Sequence, residues 1–195
     1  TAIEPLLQVA TTHKSPVSRL AAWATIRGLD GLTAAQILQG LRDANPDVRR
    51  LMLRWCEPLA ARDAKLRSDV IAVAQNEVAA DVSARLAIQY VLTLGQWEDA
   101  EASSIIATML TLHGNDPWVI AAAATMQPNH DAALANIMLQ QFQNQSTPML
   151  QRKRAIVWLT RWLTSTTQAS NKSNVEKYLN QLNVIESNDP ATIEL

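Results

Sequence analysis

Apolar residues recur along this chain at intervals of three and four, the spacing that places them on one face of an α-helix. Five segments show the pattern clearly, and each carries one apolar stripe bordered by polar positions. They are residues 33–41, 64–74, 97–112, 130–142 and 175–185. Strand-forming runs of β-branched and aromatic residues are scarce. The pattern therefore predicts an all-α fold.

A second set of helices is indicated by start signals, in which a capping residue stands directly before a proline. The four pairs are Ser15-Pro16, Asn45-Pro46, Asp116-Pro117 and Thr147-Pro148. The spacing from Pro16 to Pro46 is nearly the same as the spacing from Pro117 to Pro148. The gap between Pro46 and Pro117 is close to two repeats. We therefore expect one more start midway, at residues 80–82, without a proline. A short helix from Pro5 is expected to complete the first pair.

An arginine followed by a leucine recurs after three of these starts, at Arg19, Arg50 and Arg85. An aromatic residue follows each arginine by four or five positions. A period of about 30 to 37 residues that contains two helices is the signature of an α-solenoid. We predict a single domain over residues 1–195, a right-handed α-solenoid of about five helix pairs. The predicted repeats lie near residues 2–43, 45–76, 79–113, 115–145 and 147–187.

The run Asn-Pro-Asp-Val-Arg-Arg at residues 45–50 resembles the D-P-x-V-R step of HEAT repeats of the phycobilisome-lyase-like subtype. Residues 20–29 and 38–43 are similar to the HEAT region of large membrane-bound dehydrogenases of planctomycete type. Those proteins join a sugar-dehydrogenase-like β-propeller, a HEAT-like segment and a c-type cytochrome domain. The likeness is good over about residues 5–95 and weak beyond them.

This chain carries neither the propeller nor a C-x-x-C-H motif, so no catalytic or haem-ligating residue is carried over from that family. The resemblance implies that the segment is the spacer of such a protein. It also implies a periplasmic or exported location, although the sequence leaves the cytoplasm open. A first residue other than Met indicates a fragment or a processed chain, and we see no signal peptide in it.

Charge and cysteine content narrow the functional classes further. The formal net charge is −1, which gives no long-range attraction to nucleic acid or to an anionic membrane. The longest apolar stretch, at residues 118–126, is far shorter than the roughly 20 residues that a membrane span needs. The single cysteine, Cys56, rules out an intrachain disulfide and a cysteine-rich zinc site. We expect Cys56 to be an inert thiol in the core.

Residues that can carry chemistry are present without the spacing that chemistry requires. His13, His113 and His130 do not have the spacing of metal ligands. The carboxylates of residues 98, 99 and 101 fit the first turn of a helix, where negative charge stabilises the dipole, better than acid–base catalysis. We therefore predict no catalytic, cofactor-binding or metal-ligating residue, no cofactor, and no enzymatic activity in this segment.

An interaction surface is the remaining kind of site. The arginines Arg19, Arg50 and Arg85 either form a ladder with in-phase acids of neighbouring units or bind an anionic partner. The candidate acids are Asp47, Asp81 and Asp116. Most of the six tryptophans have the helical phase of core residues, and we expect only Trp97 and Trp162 to be exposed.

These expectations favour a non-catalytic helical-repeat scaffold that contacts other proteins or neighbouring domains of the same parent chain. Two other classes stay open. One is an adaptor that handles a chromophore or cofactor, similar to the phycobilin lyases. The other is a HEAT-like DNA glycosylase, which would need a basic concave groove that a net charge of −1 does not favour.

Overall fold

In the computed structural model, residues 2–78, 82–114, 116–127 and 129–166 are described, and they form ten α-helices and no strand. The predicted all-α class is confirmed for this part of the chain. The helices are α1 (Ile3–Thr12), α2 (Pro16–Gly28), α3 (Ala34–Gly40), α4 (Pro46–Ala60), α5 (Ala64–Val78), α6 (Ala84–Leu94), α7 (Ala100–His113), α8 (Pro117–Ala123), α9 (Asn129–Gln143) and α10 (Met149–Thr166). None of these helices is long and apolar enough to cross a membrane.

The start signals act as side-chain caps. Asn45 accepts hydrogen bonds from the first free N–H groups of α4, and Ser15 and Asp116 do the same for α2 and α8. Each is followed by a proline in the first turn. The start expected without a proline is also present, with Ser83 as the cap of α6. Replacing such a cap by alanine typically costs about 1 kcal/mol of stability.

The boundaries of the predicted segments are close to those of the helices, with one clear shift. The segment expected at residues 97–112 begins later, because Asp99 caps α7 and the helix starts at Ala100. The predicted repeats near 45–76, 79–113 and 115–145 correspond to α4 with α5, α6 with α7, and α8 with α9. The segment at residues 175–185, expected to pair with α10, lies outside the described residues.

Contacts between helices follow two series along the chain. Among the even-numbered helices, α2 contacts α4, α4 contacts α6 and α6 contacts α8. Among the odd-numbered helices, α3 contacts α5, α5 contacts α7 and α7 contacts α9. Helix α10 departs from this order, since it packs on α9 and α7.

The core lies where the two series meet. Its largest fully buried side chains are Trp23, Ile26, Ile37, Leu41, Met52, Leu53, Leu66, Leu86, Tyr90, Leu94, Ile106 and Met109. They come from α2 to α7 and from the turn after α3. Five of the twelve belong to the apolar stripes found in the sequence, and the other seven lie in α2, α4 and α6. Of the two leucines that follow Arg50 and Arg85, Leu86 is fully buried, whereas Leu51 is only partly buried against the core.

Candidate functional site

Arg19 is held by four hydrogen bonds near the start of α2. Its Nε and Nη2 donate to the two carboxylate oxygens of Asp43 over 2.7 and 2.6 Å. Its Nη1 donates to the carbonyl oxygens of His13 and Lys14. A bidentate pair of this kind is both strong and geometrically specific. Arg19 therefore ties α2 to the segment before α4 and is not a free surface cation.

The pKa of the Asp43 carboxyl reflects burial, which opposes ionisation, and nearby hydrogen bonds and charges, which favour it. Burial by itself raises the pKa of the Asp43 carboxyl. The hydrogen bonds from Arg19 and from the N–H of Asn45, together with the charges of Arg19 and Arg49, lower it by more. The net result is a pKa below the ordinary value, which stabilises the ion pair.

The backbone contacts of Arg19 recur in α4 at Arg49. The prediction places the arginine of this helix at Arg50. Nη1 of Arg49 donates to the carbonyl oxygens of Asp43 and Ala44, which are six and five residues before it, as His13 and Lys14 are before Arg19. Nε of Arg49 lies 2.7 Å from Oε1 of Glu77, an ion pair that lacks the alignment of a hydrogen bond. Both arginines stand at the fourth position after the helix cap, because that position faces the neighbouring unit.

Glu77 links this second arginine to the core of the next helix. The hydroxyl of Tyr90, which is fully buried in α6, donates to Oε2 of Glu77 over 2.8 Å. Burial, with the Glu77 charge and hydrogen bond, raises the pKa of Tyr90 well above its usual value, so the phenol stays a neutral donor. Arg49, Glu77 and Tyr90 therefore join α4, α5 and α6.

Arg50 and Arg85 make weaker contacts on the surface. Both face Asp47, at 3.6 Å from Arg50 Nε and 4.0 Å from Arg85 Nη1. The side chain of Arg85 is 76% exposed, and pairs this exposed contribute little stability. The other predicted acids do not test the ladder, since Asp116 caps α8 and Asp81 lies outside the described residues.

The expected exposure of Trp97 is wrong, because its side chain is only 7% exposed. The chain turns back after α6, where the N–H of Trp97 donates to the carbonyl of Leu94, and this turn carries the indole against the core. The side chain of Trp162 lies outside the described residues. Trp118, which we expect in the core from its sequence, is instead 71% exposed, while Val119 beside it is fully buried.

The position of Trp118 relative to its cap explains its exposure. It stands two residues after the cap of α8, and the matching positions in the other even-numbered helices are also on or near the surface. They are Val17, Asp47, Arg85 and Met149. Leu150 follows Met149 and is also exposed. We call Val17, Asp47, Arg85, Trp118, Met149 and Leu150 the N-terminal edge.

Contacts near the helix starts connect parts of this edge. Asp43, just before α4, meets Arg19 of α2, and Asp47 of α4 meets Arg85 of α6. Nη1 of Arg154 in α10 donates to the carbonyls of Thr111 and Leu112, at the end of α7 directly before α8. The edge is charged at Asp47 and Arg85, whereas Trp118 at the start of α8 and Met149 and Leu150 at the start of α10 are exposed apolar side chains.

A cleft lies at the opposite ends of these helices. Its volume is about 550 Å³, and it is bounded by the end of α4, the start of α5 and the turn before α7. The side chains that matter for its chemistry are Glu57, Arg67, Ile71, Trp97, Glu98 and Asp99. Oε1 of Glu57 accepts hydrogen bonds from Gln89 and Thr93, so this carboxylate is anchored from within the core.

Ser103 and His130 form a buried polar pair between α7 and α9. Oγ of Ser103 lies 2.8 Å from Nδ1 of His130 and also donates to the carbonyl of Asp99. Both side chains are almost completely buried, and neither lines the cleft. The contact satisfies Oγ of Ser103 and Nδ1 of His130 between the two helices, whereas Nε2 of His130 is buried without a hydrogen-bond partner in the described part of the chain. In the described part of the chain, no group of three or more His, Cys, Asp or Glu could hold a metal ion.

Cys56 is fully buried in α4, and its Sγ donates to the carbonyl of Leu53. Burial and the charge of Glu57 raise the pKa of the Cys56 thiol to about 12. Because the thiolate is the reactive form, we expect no reaction with DTNB in the native protein and one equivalent after unfolding in urea. A Ser104→Cys variant, with an exposed position on α7, should release one equivalent while folded. Reaction of both thiols at similar rates in the native state would contradict the placement of Cys56.

No family model, no curated protein and no solved structure matches this chain. The resemblance to HEAT repeats and to the spacer of a dehydrogenase therefore stays a prediction.

Proposed function

We propose that this chain is a non-catalytic helical-repeat scaffold, a HEAT-like α-solenoid that contacts another protein or a neighbouring domain through its N-terminal edge. The exposure of three large apolar side chains at this edge, those of Trp118, Met149 and Leu150, is the observation that carries the proposal. The spacer role in a multidomain haem-containing dehydrogenase is the more specific form of it, and rests on the sequence resemblance alone.

Two observations support a repeat architecture. The first is the pair of contact series, in which each helix from α2 to α7 packs on the helix two places further along the chain, as expected for stacked helix pairs. The second is the matching set of backbone acceptors used by Arg19 and Arg49, which occupy equivalent positions in successive units. A contact that recurs with the period of the helix pairs is typical of a repeated unit.

The exposed apolar side chains support an interaction role. Trp118, Met149 and Leu150 are each more than half exposed, at the starts of α8 and α10. Tryptophan is among the residues most enriched at the energetic centres of protein interfaces. Arg85 and Lys153, both exposed near the starts of α6 and α10, would complement carboxylates on the partner.

The proposal is tested by quantitative affinity capture from extracts of the source cells. The immobilised wild-type chain is compared with Trp118→Ala and with Leu29→Ser, a matched variant that removes an exposed apolar side chain elsewhere. We expect one or more proteins to be retained by the wild type and by Leu29→Ser and to be lost with Trp118→Ala. Identical protein sets on all three chains would overturn the proposal. Trp118 is exposed, so its replacement should leave stability within about 0.5 kcal/mol of the wild type.

A further inference from the structure

The cleft at the far end from the N-terminal edge has an apolar floor. Trp97 and Ile71 are both buried side chains that line it, and Ala61 and Ala64 complete this surface. Its volume of about 550 Å³ is in the range of sites that hold a side chain or small ligand. An aromatic ring and an aliphatic side chain at the floor of a cleft favour an apolar side chain, because its burial there removes apolar surface from water.

The rim of the cleft is acidic. Glu98 makes no hydrogen bond or ion pair with any residue in the described part of the chain, and the carboxylate of Asp99 accepts only from backbone N–H groups there. Glu57 uses Oε1 for Gln89 and Thr93. Arg67 is the cation among the cleft residues, and its Nη1 is engaged by the carbonyl of Ala60 over 2.6 Å. Three carboxylates against one arginine leave the cleft with an excess of negative charge.

The sequence around the cleft is mixed in charge. Between positions 68 and 150 the chain contains eight acidic residues and a single basic one, but Asp116 among them caps α8 at the opposite ends of the helices. On the side of α4 and α5, the exposed residues Arg62 and Lys65 adjoin lining residues in sequence, and Lys65 is paired with Asp69. The negative charge that an occupant of the cleft meets is therefore that of the three lining carboxylates.

We propose that this cleft binds a lysine or arginine side chain, with the apolar residue next to it, in a segment of a partner protein. The apolar neighbour packs on Trp97 and Ile71, and the cationic group is held by Glu98, Asp99 and the outer oxygen of Glu57. The inference rests on the proposed function, since its occupant belongs to a protein partner. It concerns a separate site, because the cleft shares no residue with the N-terminal edge.

The test uses the full chain and three fluorescently labelled peptides of a Gly-Ser frame. One carries Arg-Leu at its centre, one carries Glu-Leu and one carries Arg-Ala, and binding is followed by anisotropy. We expect saturable binding of the Arg-Leu peptide that weakens with added salt. The Arg-Ala peptide should bind more weakly, and the Glu-Leu peptide should not bind.

Matched charge reversals locate the site. Glu98→Lys should raise the Kd of the Arg-Leu peptide about tenfold, or about 1.4 kcal/mol. Glu4→Lys changes the net charge equally at an exposed position on α1 and should change the Kd less than about twofold, since screening removes its distant effect. Trp118→Ala should leave peptide binding unchanged, so that failure of the N-terminal edge is distinguished from failure of the cleft.

Three results would overturn the inference. Equal losses with Glu98→Lys and Glu4→Lys would show that the peptide responds only to net charge. Equal binding of the Arg-Leu and Glu-Leu peptides would remove the electrostatic selection. Displacement of the peptide by free arginine amide at the same concentration as the peptide would show that the cleft binds small cations and gains nothing from the apolar neighbour or the peptide backbone.

Discussion

Replacing Arg49 by alanine is expected to lower the free energy of unfolding by about 2–4 kcal/mol. The change removes the ion pair with Glu77 and the hydrogen bonds to the carbonyls of Asp43 and Ala44. The side chain of Glu77, which is less than one-fifth exposed, then lacks its counter-charge. Removing one partner of a fully buried pair costs about 3–5 kcal/mol, and the residual solvent access here reduces that figure. Urea denaturation followed by circular dichroism measures the loss.

Arg50→Ala is the matched control for this experiment. Arg50 is the adjacent residue in the same helix, and its only ion pair within the described part of the chain is the 3.6 Å contact with the half-exposed Asp47. We expect this control to change the stability by about 0.5 kcal/mol or less. A loss with Arg50→Ala equal to that with Arg49→Ala would mean that the ladder follows the arginine–leucine step after all.

A double-mutant cycle with Glu77→Gln separates the pair from its backbone contacts. Because Arg49 and Glu77 interact directly, the two losses should not add, and a coupling of about 1–2 kcal/mol is expected. Hydrogen exchange should show faster opening of α5 and α6 in Arg49→Ala, since Glu77 and Tyr90 belong to those helices. Strict additivity would show that Arg49 acts through the carbonyls of Asp43 and Ala44 alone.

Helices and their starts could be predicted from the sequence because both are local. The apolar stripe of a helix and the cap before its first turn involve residues within a few positions of each other. Asn45 with Pro46 is a clear case, since the side chain that caps α4 and the proline that follows it are adjacent. Ser83 could be placed approximately without a proline, because the repeat period supplied its position.

The partners of the arginines could not be predicted in the same way. Arg19 meets Asp43 and Arg49 meets Glu77, and in both pairs a whole helix or more of sequence separates the partners. Which acid lies within reach of an arginine depends on tertiary structure. It is set by how the chain after an even-numbered helix folds back towards the start of that helix. Of the acids chosen from sequence, Asp47 contacts Arg50 and Arg85 weakly, Asp116 is used as a cap, and Asp81 lies outside the described residues.

The two tryptophan errors have different causes. Trp118 and Val119 are adjacent, and a shift of one residue rotates a helical position by about 100°. The apolar run that follows Trp118 hid this phase, and the fully buried position belongs to Val119. Counting two residues from the helix cap would have identified Trp118 as an exposed position, as it does for Val17. Trp97 precedes its helix, so helical phase did not apply to it.

Leu86→Ala is expected to destabilise the chain by about 2–5 kcal/mol, the range for a fully buried leucine whose removal leaves a cavity. Leu86 is 1% exposed in α6, where that helix meets α4 and α8. Leu51→Ala, at the matching place after Arg50, should cost about 1–2 kcal/mol, because Leu51 is only partly buried and water already covers part of its side chain.

The comparison of these two leucines tests how the units are aligned, independently of the arginine ladder. The residues of α4 that directly follow Leu51, Met52 and Leu53, are fully buried, so Leu53→Ala should resemble Leu86→Ala more closely than Leu51→Ala does. Midpoints and slopes of urea denaturation give all three free energies under one set of conditions. If Leu51→Ala cost as much as Leu86→Ala, the leucines after Arg50 and Arg85 would be equivalent, and the unit boundaries would follow the arginine–leucine step and not the helix caps.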